Sequence, residues 1–349
     1  MTNVAIRPTL LPTATMDKLE ALASITRLSE NVVRVLGQNP GKFTLQGTNT
    51  YIVGKQRPFT LIDTGEGREE YIPLLESALK DAGASSDPSA ADVSDIVISH
   101  WHHDHVGGLP SVLSLLRRLW DERNVAAPFK PPRLHKFPTP TTFRSIQGHY
   151  TLPSILESLP ADSYAPGPEG SPFHDLHDTQ VISEFSQLRV LHTPGHTSDS
   201  ICLHLPQDNA LYTADTVLGQ GTAVFEDLAA YIASLRKMLD FPGYTVLYPG
   251  HGPVVSEGAE VIQTYIKHRL EREAQIVGVL KSPVPQGEAV DGSWTTWTIV
   301  KSIYARYPES LWLPAAHGVD LHLRKLEGEG LVEKMGGEGK DTSWKFLGN

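Results

Sequence analysis

The chain has 349 residues, 40% of them hydrophobic, and a formal net charge of −10. That length supports one large domain or two smaller ones with a full core, and the acidic balance excludes a global field drawing in nucleic acid or anionic membrane. The one cysteine, Cys202, excludes a disulfide framework and a thiolate-rich metal site, and no apolar run approaches the roughly 20 residues that span a bilayer.

Residues 1–30 read as an N-terminal extension. They lack the continuous apolar core of a secretory signal, and 17–29 has the spacing of a short helix. The expected location is the cytosol. Strands follow at 32–36, 48–53 and 59–63. Residues 69–82 have helical spacing, with Tyr71, Ile72, Leu74, Leu75 and Leu79 on one face. A strand at 95–99 then opens into Ser99-His100-Trp101-His102-His103-Asp104-His105-Val106-Gly107-Gly108. Four histidines and an aspartate fall within six positions there. A helix at 109–119 comes next.

Residues 121–172 change character, holding ten of the chain's 26 prolines. They read as an inserted region of loops and short helices of the kind that covers a site. The run 173–178, with His174, Asp175, His177 and Asp178, reads as a solvated turn. Regular structure resumes with a strand at 188–191, which ends in His192-Thr193-Pro194-Gly195-His196. A strand at 201–205 pairs with 209–215, which ends on Asp215. A helix at 228–239 leads to a strand at 244–247 and then Tyr248-Pro249-Gly250-His251-Gly252. Strand after strand ends in a metal-ligating residue type, as expected when one sheet edge carries a site.

A long helix at 257–279 and a linker at 282–287 close a first domain of residues 31–280. Residues 286–349 form a second unit: helices at 294–307 and 315–328, then strands at 331–335 and 343–346 around Gly336-Gly337-Glu338-Gly339. This order resembles a winged helix. Nine acids against seven bases make it a poor reader of nucleic acid, so core packing or dimerisation is the expected use.

The run His-x-His-x-Asp-His has a chemical reading. Along an extended loop His100 and His102 face one side and can share an ion, while Asp104 and His105 face a second. His196 completes the first set, His251 the second, and Asp215 is the bridging carboxylate. Three protein ligands per ion leave an open position. Two ions about 3.5–4 Å apart activate a shared water and polarise a carbonyl or phosphoryl oxygen. Imidazole and carboxylate suit zinc, and manganese is compatible. His103 is left out of the set and reads as a loop residue lining the pocket. His192 reads as structural, and Cys202 as a buried, inert thiol. Thr48, Asn49 and Tyr51 read either as substrate contacts or as ordinary strand residues. A nucleic-acid substrate would need a local basic patch, for which Arg117-Arg118 and residues 130–133 are the candidates.

The motif run resembles the metallo-β-lactamase-fold hydrolase superfamily over residues 31–280 apart from the insert, which departs from the minimal pattern. The resemblance implies an α/β architecture, a four-layer αββα sandwich, with the winged-helix-like unit appended. Asp63-Thr64-Gly65 matches the early aspartate of that fold, so Asp63 is expected to support the ligand loop from behind. Asp215 at the bridging position resembles the glyoxalase-II-like branch. Residues 37–51 are similar to two groups. One is the endoribonuclease-like lactamase-beta-2 proteins, which also carry a C-terminal winged-helix-like unit. The other is the fungal atrochrysone carboxyl ACP thioesterase-like enzymes, which release aromatic polyketides from non-reducing polyketide synthases. Residues 212–228 look closer to the thioesterases. That resemblance implies two-metal thioester hydrolysis in secondary metabolism, with an acyl carrier protein domain as partner and an acyl thioester as substrate. Asp104 is then the ligand that exchanges a proton with the nucleophile or leaving thiol. Cleavage of single-stranded RNA is the second reading, and a catalytically dead scaffold the third.

Overall fold

The computed structural model describes residues 19–348 apart from 84–86, 88, 125–126, 140–151, 161, 184–185 and 286–292. Residues 1–18 of the expected extension, 286–287 of the expected linker and 140–151 of the expected insert therefore lie outside the described residues. Among the described residues the first sheet runs β1 (Ile25–Arg27), β2 (Val32–Leu36), β3 (Asn49–Val53), β4 (Phe59–Ile62), β5 (Val93–Ile98), β6 (Arg133–Lys136) and β7 (His174–Asp175), in that spatial order. The second holds β8 (Arg189–His192), β9 (Ile201–Leu205), β10 (Ala210–Ala214) and β11 (Val246–Pro249), in the order β11-β10-β9-β8.

Side chains alternate across a strand, and here both faces are apolar. Val33, Ile52, Phe59, Leu61, Ile96 and Ile98 point one way, into a core shared with α1 (Tyr71–Ala82) and α3 (Leu109–Arg123). Their neighbours Val32, Tyr51, Val53, Ile62 and Val97 point the other way and meet Ile201, Leu203, Leu205, Ala210 and Tyr212 of the second sheet. The outer face of that sheet, Leu191, Cys202, Leu211 and Leu247, is covered by α5 (Leu228–Asp240) and α6 (Gly258–Leu280). The layers are thus helix, sheet, sheet, helix. The short α2 (His103–Val106) carries the second half of the ligand run, and α4 (Leu152–Glu157) lies close to it. No helix among the described residues is long and apolar enough to cross a membrane.

Several expectations are corrected. Residues 19–29 are not helical. Leu19, Leu22, Ile25 and Leu28 repeat every three residues, but Ile25–Arg27 pairs antiparallel with β2, Ile25 opposite Val35 and Arg27 opposite Val33. The Arg27 guanidinium donates to the Asp81 and Ala82 carbonyls at the end of α1, and edge pairing overrides the local periodicity. The sheet therefore begins before residue 31. Nor is 121–172 wholly an insert of loops and helices: α3 runs on to Arg123, and β6 is an interior parallel strand between β5 and β7. Within 173–178, His174 and Asp175 pair with β6 rather than forming only a turn.

The C-terminal unit comprises β12 (Trp294–Thr295), α7 (Thr296–Tyr304), α8 (Trp312–Gly328), β13 (Val332–Gly336) and β14 (Ser343–Phe346). Trp294 and Thr295, expected as the start of a helix, instead pair with Trp344 and Ser343. A reciprocal cap between Thr295 and Thr298 starts α7 at Thr296, two residues later than expected. Helix α6 serves both parts of the chain. Its first half puts Ile262 and Tyr265 into the core beside the second sheet, and its last turns put Ile276 and Leu280 against Trp294, Ile299, Leu323 and Trp344. Helix α8 also returns Leu321 to the former core.

Candidate metal centre

The two sheets meet at one edge. The Asn49 amide donates to the Gly250 carbonyl at 2.7 Å, and Thr48 bridges to His251. Five strands lead into this seam: Asp63 directly follows β4, His100 lies two residues past β5, His196 four past β8, Asp215 directly follows β10 and His251 lies two past β11.

The structure brings all seven expected ligand residues together in two clusters. His100, His102, His196 and Asp215 form one, and Asp104, His105 and His251 the other. In the first, His100 Nε2 lies 2.9 Å from His102 Nδ1, and His196 Nε2 lies 3.2 Å and 3.0 Å from those two atoms. A tetrahedral ion with metal–nitrogen bonds of about 2.0–2.1 Å holds its nitrogens roughly 3.3 Å apart, close to this triangle. In the second, Asp104 Oδ2 lies 3.2 Å from both His105 Nε2 and His251 Nε2. Asp215 spans the two, its oxygens 3.6 Å from His196 Nε2, 3.2 Å from His251 Nε2 and 3.4 Å from His105 Nε2.

The outward nitrogens are also held. His105 Nδ1 faces Asp63 at 2.7 Å, His196 Nδ1 donates to the Val224 carbonyl at 2.8 Å, and His100 Nδ1 lies 3.0 Å from Ser99 Oγ. Such contacts fix the ring and its tautomer and leave the inward nitrogen free to bind. Asp63 is fully buried and also accepts from the Ser99 amide and hydroxyl, each at 2.8 Å, and from the Tyr212 hydroxyl. It sits at φ 58°, and Ala214, just before Asp215, at φ 45°. Non-glycine residues adopt that region at a cost, and it clusters at functional sites.

Electrostatics divide the clusters. Burial, reinforced by the neighbouring histidines, keeps His100 far below its ordinary value. Burial and His196 take His102 to about 3. These rings are neutral, the form that ligates. Burial opposes charge on His105 too, but Asp104, Asp215 and Asp63 together outweigh it and push the ring upward. His251 is raised to about 9 by Asp215 and Asp104 against its burial. Burial likewise opposes ionisation of Asp215 and Asp104, yet the adjacent His251 and His105 hold both well below the usual carboxylate range.

These residues fit a pair of divalent cations. His105 Nε2 and Asp215 Oδ1 are buried and make no hydrogen bond, leaving converging electron pairs for a cation to satisfy. Gly250 keeps that space open. A Cβ there would stand 2.4 Å from Asp215 Oδ1 and 3.0 Å from His105 Cε1.

The remaining candidates separate. His103 is exposed and belongs to neither cluster. His192 Nε2 donates to the Ser198 carbonyl at 3.0 Å and its ring stacks on Phe137, which is structural. Cys202 is fully buried, and burial pushes its thiol up to about 11. Thr48, Asn49 and Tyr51 are buried. Asn49 Nδ2 donates to Pro249 and Gly252, Tyr51 to Pro249, and Thr48 Oγ1 to Asp104 Oδ2 at 3.0 Å. They hold the seam. The basic residues expected as a patch are paired: Arg117 with Asp121, Arg118 with Glu76 and Glu122, and Arg133 with Asp95, while Lys130 donates to Ser89. Ser99, Tyr212, Lys136 and Asp199 were not singled out from sequence. Only Ser99 had a signal, its place beside the ligand run.

A model of the metallo-beta-lactamase superfamily matches residues 43–251, and one of the beta-lactamase associated winged helix domain matches residues 295–344. The Drosophila melanogaster beta-lactamase-like protein 2 homolog is 38% identical over 312 residues, 88% of this chain and 92% of its own. An atrochrysone carboxyl ACP thioesterase of Aspergillus terreus is 32% identical over 321 residues, 90% of this chain and 85% of its own. Among solved structures, a beta-lactamase domain protein from Burkholderia ambifaria is 16% identical with a TM-score of 0.64, covering 94% of this chain and 96% of its own.

Proposed function

Because the chain belongs to the metallo-beta-lactamase superfamily, we propose that it is a two-metal hydrolase that cleaves acyl thioesters carried on an acyl carrier protein. Relatives named as carrier-protein thioesterases align with about nine-tenths of the chain at 30–32% identity, and that alignment carries the reading. An acidic chain whose expected basic patches are paired with acids is consistent with a substrate that is not a polyanion.

In this reading His100, His102 and His196 would hold one ion, Asp104, His105 and His251 the other, with Asp215 between them. When bound, the ions supply water activation and a Lewis acid for the scissile carbonyl. The chain's own residues do the rest. Asp63 and the Val224 carbonyl orient the rings of His105 and His196. Thr48 Oγ1 fixes one oxygen of Asp104, whose side chain is 22% exposed. Asp104 accepts the proton from the attacking water. The leaving thiolate, whose conjugate acid titrates near that of cysteine at about 8.5, needs no strong acid to depart. Asp104 passes that proton on to the thiolate, so the products are a free carboxylic acid and the carrier's thiol. Zinc is the proposed metal, and an aromatic polyketide the proposed acyl group.

A second reading is phosphodiester cleavage of single-stranded RNA. It is favoured by the higher identity, 38% and 36%, to animal beta-lactamase-like protein 2 homologs. A paired assay on zinc-loaded protein separates the two. Thioester release that chelator abolishes, with RNA left intact, supports the proposal. RNA cleavage without thioester turnover replaces it with the second reading.

A further inference from the structure

Lys136 ends β6, and its ammonium is buried against Asp199 in the loop that follows His196, with side-chain exposures of 4% and 0%. The ammonium also donates to Thr139 Oγ1 at 2.7 Å and to the Phe137 carbonyl at 3.0 Å. All three of its donors are therefore used. The other oxygen of Asp199 accepts from Thr197 Oγ1 at 2.7 Å. Thr197 directly follows His196, and its amide and hydroxyl meet Ser200 Oγ at 3.1 Å and 2.6 Å. A chain of polar contacts thus runs from the proline-rich segment through Lys136, Asp199 and Thr197 to the backbone of one ligand histidine.

Neither charged residue belongs to the ligand clusters, and Lys136 is too buried to meet a substrate. A buried ion pair is a poor source of stability, because desolvation offsets its attraction and apolar residues of similar size often serve as well. What such a pair does supply is one fixed geometry.

We infer that Lys136 and Asp199 are positioning residues for His196, setting metal affinity at the three-histidine end of the site; this rests on the two-metal reading but not on the choice of substrate. His196 closes the nitrogen triangle, and its ring is held from behind by a single carbonyl, that of Val224. The Lys136–Asp199 pair fixes the backbone from which that ring projects.

The test is zinc binding by the full chain, titrated in competition with a fluorescent chelator, with thermal unfolding of the metal-free protein beside it. The double substitution Lys136→Met with Asp199→Leu removes both charges and leaves no unpaired ion behind. The expected result is an unfolding midpoint near wild type, with one of the two zinc-binding steps weakened about tenfold to a hundredfold, the usual effect of losing a residue that orients a ligand. The other step is unchanged. Lys136→Arg, which keeps a cation beside Asp199, recovers part of the loss. Should the double variant not fold, Lys136→Met with Asp199→Asn keeps the loop's shape without either charge and is read the same way. Two ions bound at wild-type affinity in the charge-free variant overturn the inference. A wild-type chain that takes up fewer than two ions overturns the two-metal reading, and this inference with it.

Discussion

The Tyr212 hydroxyl, from the second sheet, donates to the Asp63 carboxylate, from the first, and the same carboxylate oxygen faces Nδ1 of His105. One buried anion therefore joins the two sheets and orients a ligand ring. Asp63→Asn keeps the shape but loses the charge behind His105. Metal affinity or turnover should fall about tenfold to a hundredfold. Tyr212→Phe should instead act on stability, costing roughly 1.5–3 kcal/mol for a lost bond to a charged group. Urea unfolding and chelator competition on both variants check the division. An Asp63→Asn chain with full metal affinity would contradict it.

Gly250 faces the same space from β11. A methyl group there intrudes on Asp215 and His105, so Gly250→Ala should bind less than two ions per chain and lose most hydrolysis while remaining folded. Metal analysis of the purified variant, with circular dichroism as the control for folding, decides the matter. Two ions and normal turnover would mean the seam is more pliant than its geometry indicates.

Five histidines and two aspartates converge at the sheet edge, so ion binding should stabilise the fold. Excess free zinc at about a hundred times its dissociation constant contributes roughly 2.7 kcal/mol per site, a rise of about 4 °C in Tm for each site in a chain of this size. A thermal scan of chelated and reloaded protein should show that rise, and His196→Ala should reduce it. Equal midpoints with and without zinc would be inconsistent with ions bound in this cluster.

Cys202 supplies a pH signature away from the site. Its thiol is pushed from 9.0 up to about 11 by burial, so the folded chain holds that proton more tightly than the unfolded one. The linked stability is complete below pH 9 and is lost as pH rises towards 11, the loss reaching about 2 kcal/mol at pH 10.5. Comparing urea unfolding at pH 8 and pH 10.5 for wild type and Cys202→Ala isolates the contribution. The buried tyrosines titrate in both chains and cancel. Identical pH slopes would show that the thiol is not where the titration lies.

The ligand set was legible because its chemistry is dense in sequence: His100, His102, Asp104 and His105 fall within six positions, and His196, Asp215 and His251 each follow an apolar strand. The four layers were legible through the family resemblance, and their physical basis lies in β2 to β5 and β9 to β10, whose two faces are both apolar. β6 escaped notice because three of its four residues, Arg133, His135 and Lys136, are polar. Each answers a buried acid from another element, Arg133 and His135 meeting Asp95 and Lys136 meeting Asp199. Hydropathy cannot register a strand whose burial depends on partners 38 to 63 positions away in the chain, about the separations of those pairs. The Ile25–Arg27 strand was hidden by the opposite effect, a helical spacing with no helix to use it.

The double duty of α6 bears on modularity. Its last turns contribute Ile276 and Leu280 to the C-terminal unit, while α8 of that unit sends Leu321 back beneath the second sheet. A chain cut between 285 and 293 would strand apolar side chains on both fragments. The winged-helix unit is therefore grafted onto the hydrolase as a shared buttress, and neither piece can be inherited, transplanted or trimmed away without redesigning the face it leaves bare.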